Sequence, residues 1–123
     1  MIYRNDPIRT VICEALEQNP SYKLTVCGHS LGGGISAIVA YWWNRHGTFR
    51  KCGNAERGEE FVQCVAFAPP PVLTRDIAEN SLSFTTTLVN EDDIVPRLSI
   101  QALHDLINKV IECSELCDVF ACL

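Results

Sequence analysis

The stretch Val26-Cys27-Gly28-His29-Ser30-Leu31-Gly32-Gly33-Gly34 decides how this chain is read. Before it, Tyr22 to Cys27 (Tyr-Lys-Leu-Thr-Val-Cys) predicts a short buried strand, and after it Ile35 to Trp43 predicts an apolar helix. Gly-x-Ser-x-Gly between a strand and a helix is a nucleophile elbow, a turn sharp enough to present the serine hydroxyl. So tight a reversal predicts that side chains at Gly28 and Gly32 would collide with the neighbouring strand and helix, and both positions are glycine. Ser30 is the candidate nucleophile.

A serine hydroxyl is a weak nucleophile near neutral pH. It needs a general base, a third group to orient that base, and donors for the oxyanion that develops. One such donor in an elbow is the backbone N–H after the serine, here Leu31, at the positive end of the helix it opens. In α/β-hydrolases the chain order is serine, acid, histidine, so the acid is sought after a later strand. Phe84 to Val89, rich in β-branched residues, runs into Asn90-Glu91-Asp92-Asp93-Ile94-Val95-Pro96. Parallel strands joined by right-handed crossovers end at one edge of a sheet, which puts Asp92 or Asp93 within reach of Ser30.

These residues carry a resemblance. Gly28-His29-Ser30-Leu31-Gly32-Gly33, followed by Asp92-Asp93-Ile94-Val95-Pro96-Arg97-Leu98, resembles the class 3 (fungal-type) lipase family, within it the sn-1-specific diacylglycerol lipase-like branch. Phe67-Ala68-Pro69-Pro70 and the helix after Pro96 agree with it, and the match runs roughly from Ile8 to Glu112. The resemblance implies an α/β-hydrolase fold, Ser30 as nucleophile and acylglycerol lipid esters as substrates. It also implies Asp93 rather than Asp92 as the triad acid, because Asp93 directly precedes Ile94-Val95-Pro96. No cofactor and no metal is expected.

The chain departs from that family in its base. The family's histidine lies well beyond the acid, whereas here thirty residues follow Asp93. His29 precedes the serine in a turn that points adjacent side chains apart. His46 ends the helix that Ser30 opens, about 24 Å away at 1.5 Å per residue, and Gly47 after it is a C-cap signal. His104 lies in the helix after Pro96. None is a convincing base. On the amino-terminal side the chain predicts a helix, with Asp6 as N-cap, Pro7 at the first position, and Ile8, Val11, Ile12, Ala15 and Leu16 on one face, ended by Asn19-Pro20. No earlier strand or oxyanion loop precedes the elbow. The expected fold is therefore α/β, a partial α/β-hydrolase fold with a parallel sheet core and flanking helices, lacking flanking strands. Its strands are Tyr22 to Cys27, Phe61 to Phe67 and Phe84 to Val89. Residues 1–112 form the lipase-like domain and 113–123 a cysteine-rich tail. The rival expectation is a non-catalytic product acting as an interaction module through an open sheet edge.

A net charge of −5 excludes the basic patch that nucleic-acid binding needs. Glu56-Arg57-Gly58-Glu59-Glu60, with Gly53 and Asn54, reads as a polar connector. The sequence holds no apolar run of membrane-spanning length, and Met1 to Asp6 is not a signal peptide, so lipid contact is expected to be peripheral and the setting intracellular and membrane-associated. Trp42 and Trp43 are expected in the core, on a helix sandwiched against the sheet. Seven cysteines, an odd count without metal-type pairing, argue against a disulfide framework. Cys27 and Cys64 are expected as buried thiols, and Cys113, Cys117 and Cys122 as a cluster whose functional reading is palmitoylation or metal binding, although a tetrahedral zinc site would want a fourth ligand. Behind a serine N-cap, Ser99 to about Glu112 repeats Leu103, Leu106, Ile107, Val110 and Ile111 at helical spacing, which predicts packing on the sheet.

Overall fold

The computed structural model describes residues 6–52 and 55–121. Met1 to Asn5, Gly53, Asn54 and Cys122, which figure in the readings above, lie outside the described residues. Helix α1 (Pro7–Gln18) starts as its sequence dictates: the Asp6 carboxylate accepts from the amides of Ile8 (3.0 Å) and Arg9 (3.4 Å), and Pro7 takes the first position. It stops at Asn19, one residue before Pro20. Its inward side is Ile12, Cys13 and Leu16, whereas Ile8 and Val11 of the predicted face are exposed. Two ties set that rotation. Cys13 forms a disulfide with Cys52, and Arg9 Nε donates to the Thr48 carbonyl at 3.1 Å. The disulfide corrects the cysteine reading, because a separation of 39 residues says nothing about which cysteines the core brings together.

Strands β1 (Leu24–His29), β4 (Val62–Phe67) and β5 (Thr85–Leu88) form a parallel sheet in the order β1-β4-β5, and β2 (Lys51–Cys52) and β3 (Ala55–Glu56) form a small antiparallel pair. This is the expected α/β architecture of a partial α/β-hydrolase. β1 runs two residues later than predicted because Gly28 and His29 still pair, with Ala66 and Phe67. The β2–β3 pair borders the stretch read as a polar connector, and the short helix α3 (Arg75–Glu79) lies where the sequence reading assigned no element.

The two faces of the sheet differ. Leu24, Val26, Val62, Cys64 and Ala66 lie on the face packed by α2 (Leu31–Arg45), alongside Leu16, Ala37, Ala40 and Phe49. Thr25, Cys27, His29, Phe67, Thr86 and Leu88 on the other face are exposed. Cys27 is thus an exposed thiol, contrary to expectation, because period-2 alternation turns it away from Val26. Small residues let α2 lie close on the strands, with Gly33, Gly34, Ser36, Ala37 and Ala40 buried. Buried Asn44 fastens its far end: Nδ2 donates to the Val62 carbonyl (2.8 Å), and Oδ1 accepts from the Val62 amide (2.9 Å).

The outer side of α2 is exposed at Leu31, Ile35, Ile38 and Trp42, and only Trp43 turns inward, edge-on to Phe49 with centroids 5.0 Å apart. The expected sandwich of this helix holds on one side alone, since no described element forms a layer outside it. Helix α4 (Ile100–Ala121) runs past the predicted end at Glu112, and Leu103, Leu106, Ile107, Val110 and Ile111 are exposed instead of packed on the sheet. The periodicity was that of an amphipathic helix, but periodicity does not supply the surface against which it packs. No helix among the described residues is long and apolar enough to cross a membrane.

Candidate active site

Strand β1 delivers the chain to Ser30, whose backbone takes φ 54° and ψ −125°. Such a conformation costs a non-glycine residue about 1–3 kcal/mol and persists only where its surroundings over-determine it. Here the Ser30 amide donates to the Phe67 carbonyl at the end of β4 (2.9 Å), and the Ser30 carbonyl accepts from Gly34 (3.1 Å) in the first turn of α2. Serine commonly caps a helix through its hydroxyl, yet Ser30 makes no side-chain capping bond. Its Oγ is left for other chemistry.

Gly28 is where the elbow has no room: a Cβ there would stand 2.3 Å from the Gly32 carbonyl oxygen and 2.4 Å from its carbon. Gly32 contradicts the collision expected of it, since a Cβ there meets nothing within 4 Å. The other close approaches belong to Gly34, whose Cβ would lie 2.9 Å from Val72 Cγ1, and to Gly33, whose Cβ would lie 3.0 Å from Gly28 O and 3.2 Å from Phe67 O. The helix turns Gly32 to open space and sets Gly33 over the seam between β1 and β4. Leu31 is exposed as the first residue of α2. Its N–H is one of the leading amides that have no intrahelical acceptor, as an oxyanion donor requires.

The acid candidates follow β5. Asp93 is half-buried and Asp92 exposed. Asp93 Oδ1 accepts from the Val95 amide at 3.0 Å, and the Asp93 amide donates to the Asn90 carbonyl at 3.0 Å. The Arg97 guanidinium closes the same turn by donating to the Glu91 carbonyl (2.8 Å) and the Asp93 carbonyl. Glu91, with φ 40°, takes the left-handed conformation that this staple holds. Sequence reasoning assigned Arg97 no role, although a cation four residues beyond Asp93 was the available signal. β1 and β5 are both parallel to β4, so Ser30 and Asp93 rise from one edge of the sheet. Beyond Pro69 at that edge lies a recess of about 280 Å³, lined by Ala37, Pro70, Val72, Leu73, Ala78 and Pro96 among others.

The histidines stand apart. His29 is on the exposed face of β1. His46 follows the far end of α2 with its ring against Trp42, centroids 4.0 Å apart. His104 lies on α4, its Nδ1 3.2 Å from Asn108 Nδ2. Among the described residues no hydrogen bond joins a histidine to Ser30 or Asp93. Cys64 offers no rival nucleophile, because burial pushes its thiol above the ordinary range and Cys27 adds to the shift.

The sequence profile of the Lipase (class 3) family matches residues 2–103. The chain belongs to the class 3 lipases. This class 3 lipase chain is similar to two diacylglycerol lipases. Diacylglycerol lipase-beta of Mus musculus is 28% identical over 109 residues, covering 88% of this chain and 14% of the relative. Diacylglycerol lipase-alpha of Homo sapiens is 30% identical over 92 residues, covering 74% of this chain and 8% of the relative. The class 3 lipase chain thus spans a small part of the length of the curated relatives it matches.

Proposed function

We propose that this chain carries the nucleophile and acid of a serine ester hydrolase acting on acylglycerol lipids. The observation that carries the reading is the Ser30 backbone at φ 54°, with Gly28 closed against Gly32 and the hydroxyl uncommitted. Ser30 Oγ attacks the ester carbonyl, the Leu31 N–H faces the developing oxyanion, the ester C–O bond breaks as the glyceride alcohol leaves with the proton taken from Ser30, and water then releases the fatty acid from the acyl-enzyme. Asp93 orients the base that takes the Ser30 proton. That base is the part of the machinery that the described residues do not furnish. Family membership and two relatives named as diacylglycerol lipases support an acylglycerol substrate. The exposed stripe Leu31, Ile35, Ile38 and Trp42 starts beside the serine and provides peripheral contact with the lipid surface where such esters reside.

A second reading is favoured by the open side of β1, which pairs only with β4 among the described residues: an interaction module without catalysis. A fluorophosphonate probe, with imidazole supplied in solution as the base that the described residues do not furnish, separates the two. The expected result is a covalent adduct mapped to Ser30 by mass spectrometry and absent in Ser30→Ala. A folded chain that never labels would sink the hydrolase reading and leave the interaction module.

A further inference from the structure

At the sheet edge opposite Ser30 stands a buried cation without an anion. Arg57 is only 8% exposed. Its Nη1 donates to the Cys52 carbonyl (3.0 Å), its Nη2 to the Leu16 carbonyl in the last turn of α1 (3.2 Å), and its guanidinium carbon sits 5.1 Å from the Phe61 ring centroid. Arg57 Nε has no acceptor, and among the described residues no carboxylate pairs with this side chain. Two carbonyl dipoles, a helix terminus and a ring face each supply partial negative charge. None supplies the full unit that a buried guanidinium ordinarily finds.

Arg57 borders a cleft of about 440 Å³ whose lining also includes Ser21, Tyr22, Lys23, Glu60 and Gln63. Two cations, a hydroxyl and a phenol thus face one space with a single carboxylate, in a chain whose overall charge is −5. Lys23 directly precedes β1 and Phe61 directly precedes β4, so the cleft opens at the amino-terminal ends of the strands, remote from the elbow. We propose that this cleft binds a phosphate group, with Arg57 and Lys23 supplying the charge and Ser21 and Tyr22 supplying neutral donors. Arg57, with Nε buried and both Nη atoms on carbonyls, acts as a fixed positive charge behind the cleft, and the exposed lysine adds a compact, mobile charge that reaches the phosphate oxygens. The cleft has room for more than one phosphate ion, so a free phosphate and the phosphate of a lipid headgroup share the recognising chemistry. The site is independent of the hydrolase reading, since it uses none of its residues.

The test titrates the intact chain with inorganic phosphate by calorimetry and measures its cosedimentation with phosphatidylglycerol vesicles. The variants are Arg57→Gln and Lys23→Gln, with folding checked by circular dichroism. Saturable binding is expected, weakened at least about tenfold in each variant, as loss of a charge-assisted contact implies. Phosphate binding without vesicle binding assigns a free phosphate, and vesicle binding displaced by phosphate assigns a headgroup. Lys23 is exposed, so Lys23→Gln decides the matter if Arg57→Gln fails to fold. No saturable binding of either probe, or unchanged binding in Lys23→Gln, overturns the proposal.

Discussion

At Gly28 and Gly32 the same residue type, in the same motif, answers to different constraints. Alanine at Gly28 drives a methyl group into the Gly32 carbonyl, and a backbone clash of that kind costs about 3 kcal/mol. Alanine at Gly32 enters open space inside a helix and stabilises by up to about 1 kcal/mol. Urea denaturation of the two variants checks the contrast, and a Gly32→Ala protein less stable than Gly28→Ala would contradict the assignment. The motif revealed Ser30 and Gly28 because an elbow needs both whatever surrounds it. It misled at Gly32 because the side of a helix turn that meets a strand depends on where that strand lies. Phe67, whose carbonyl approaches Gly33, is more than thirty residues away in sequence. Asp93 was preferred to Asp92 only through the family resemblance. The half-burial of Asp93 and the Arg97 staple around its turn are consistent with that choice.

Among the elements, those with local signals were readable: α1 through Asp6, Pro7 and Pro20, and three strands through their β-branched runs. The disulfide and the clamp at Asn44 were not, since each joins segments far apart in sequence, and the two-residue strands β2 and β3 are too short to leave a periodic trace. Asn44 shows how such a tie works. Its amide imitates a strand neighbour for Val62, filling both backbone groups where β4 begins. Asn44→Ala strands a buried donor and a buried acceptor, and at about 1–3 kcal/mol for each group the expected loss is about 2–6 kcal/mol. Thermal unfolding measures it, and a midpoint unchanged from the parent chain would show that water reaches Val62 in place of the side chain.

For the whole molecule, the unequal sheet faces matter most. Parallel sheets are ordinarily covered on both sides. Here Phe67 and Leu88 on one face, the outer stripe of α2, and the apolar row of α4 are all exposed. The chain by itself is expected to self-associate, with a sedimentation coefficient that rises with concentration and with enhanced fluorescence of a hydrophobic dye. A single sharp monomer boundary without dye binding would show that these surfaces close over one another in solution. The hydrogen bond from the Ser30 amide to the Phe67 carbonyl carries a consequence for the order of events during synthesis. Ser30 leaves the ribosome well before Phe67, by roughly 2–7 s at about 5–20 residues per second. Throughout that interval the glycine-rich segment has no β4 to hold it in its strained turn. The newborn serine is therefore an ordinary residue on a pliable chain, and it takes up its strained posture only when the downstream strand arrives.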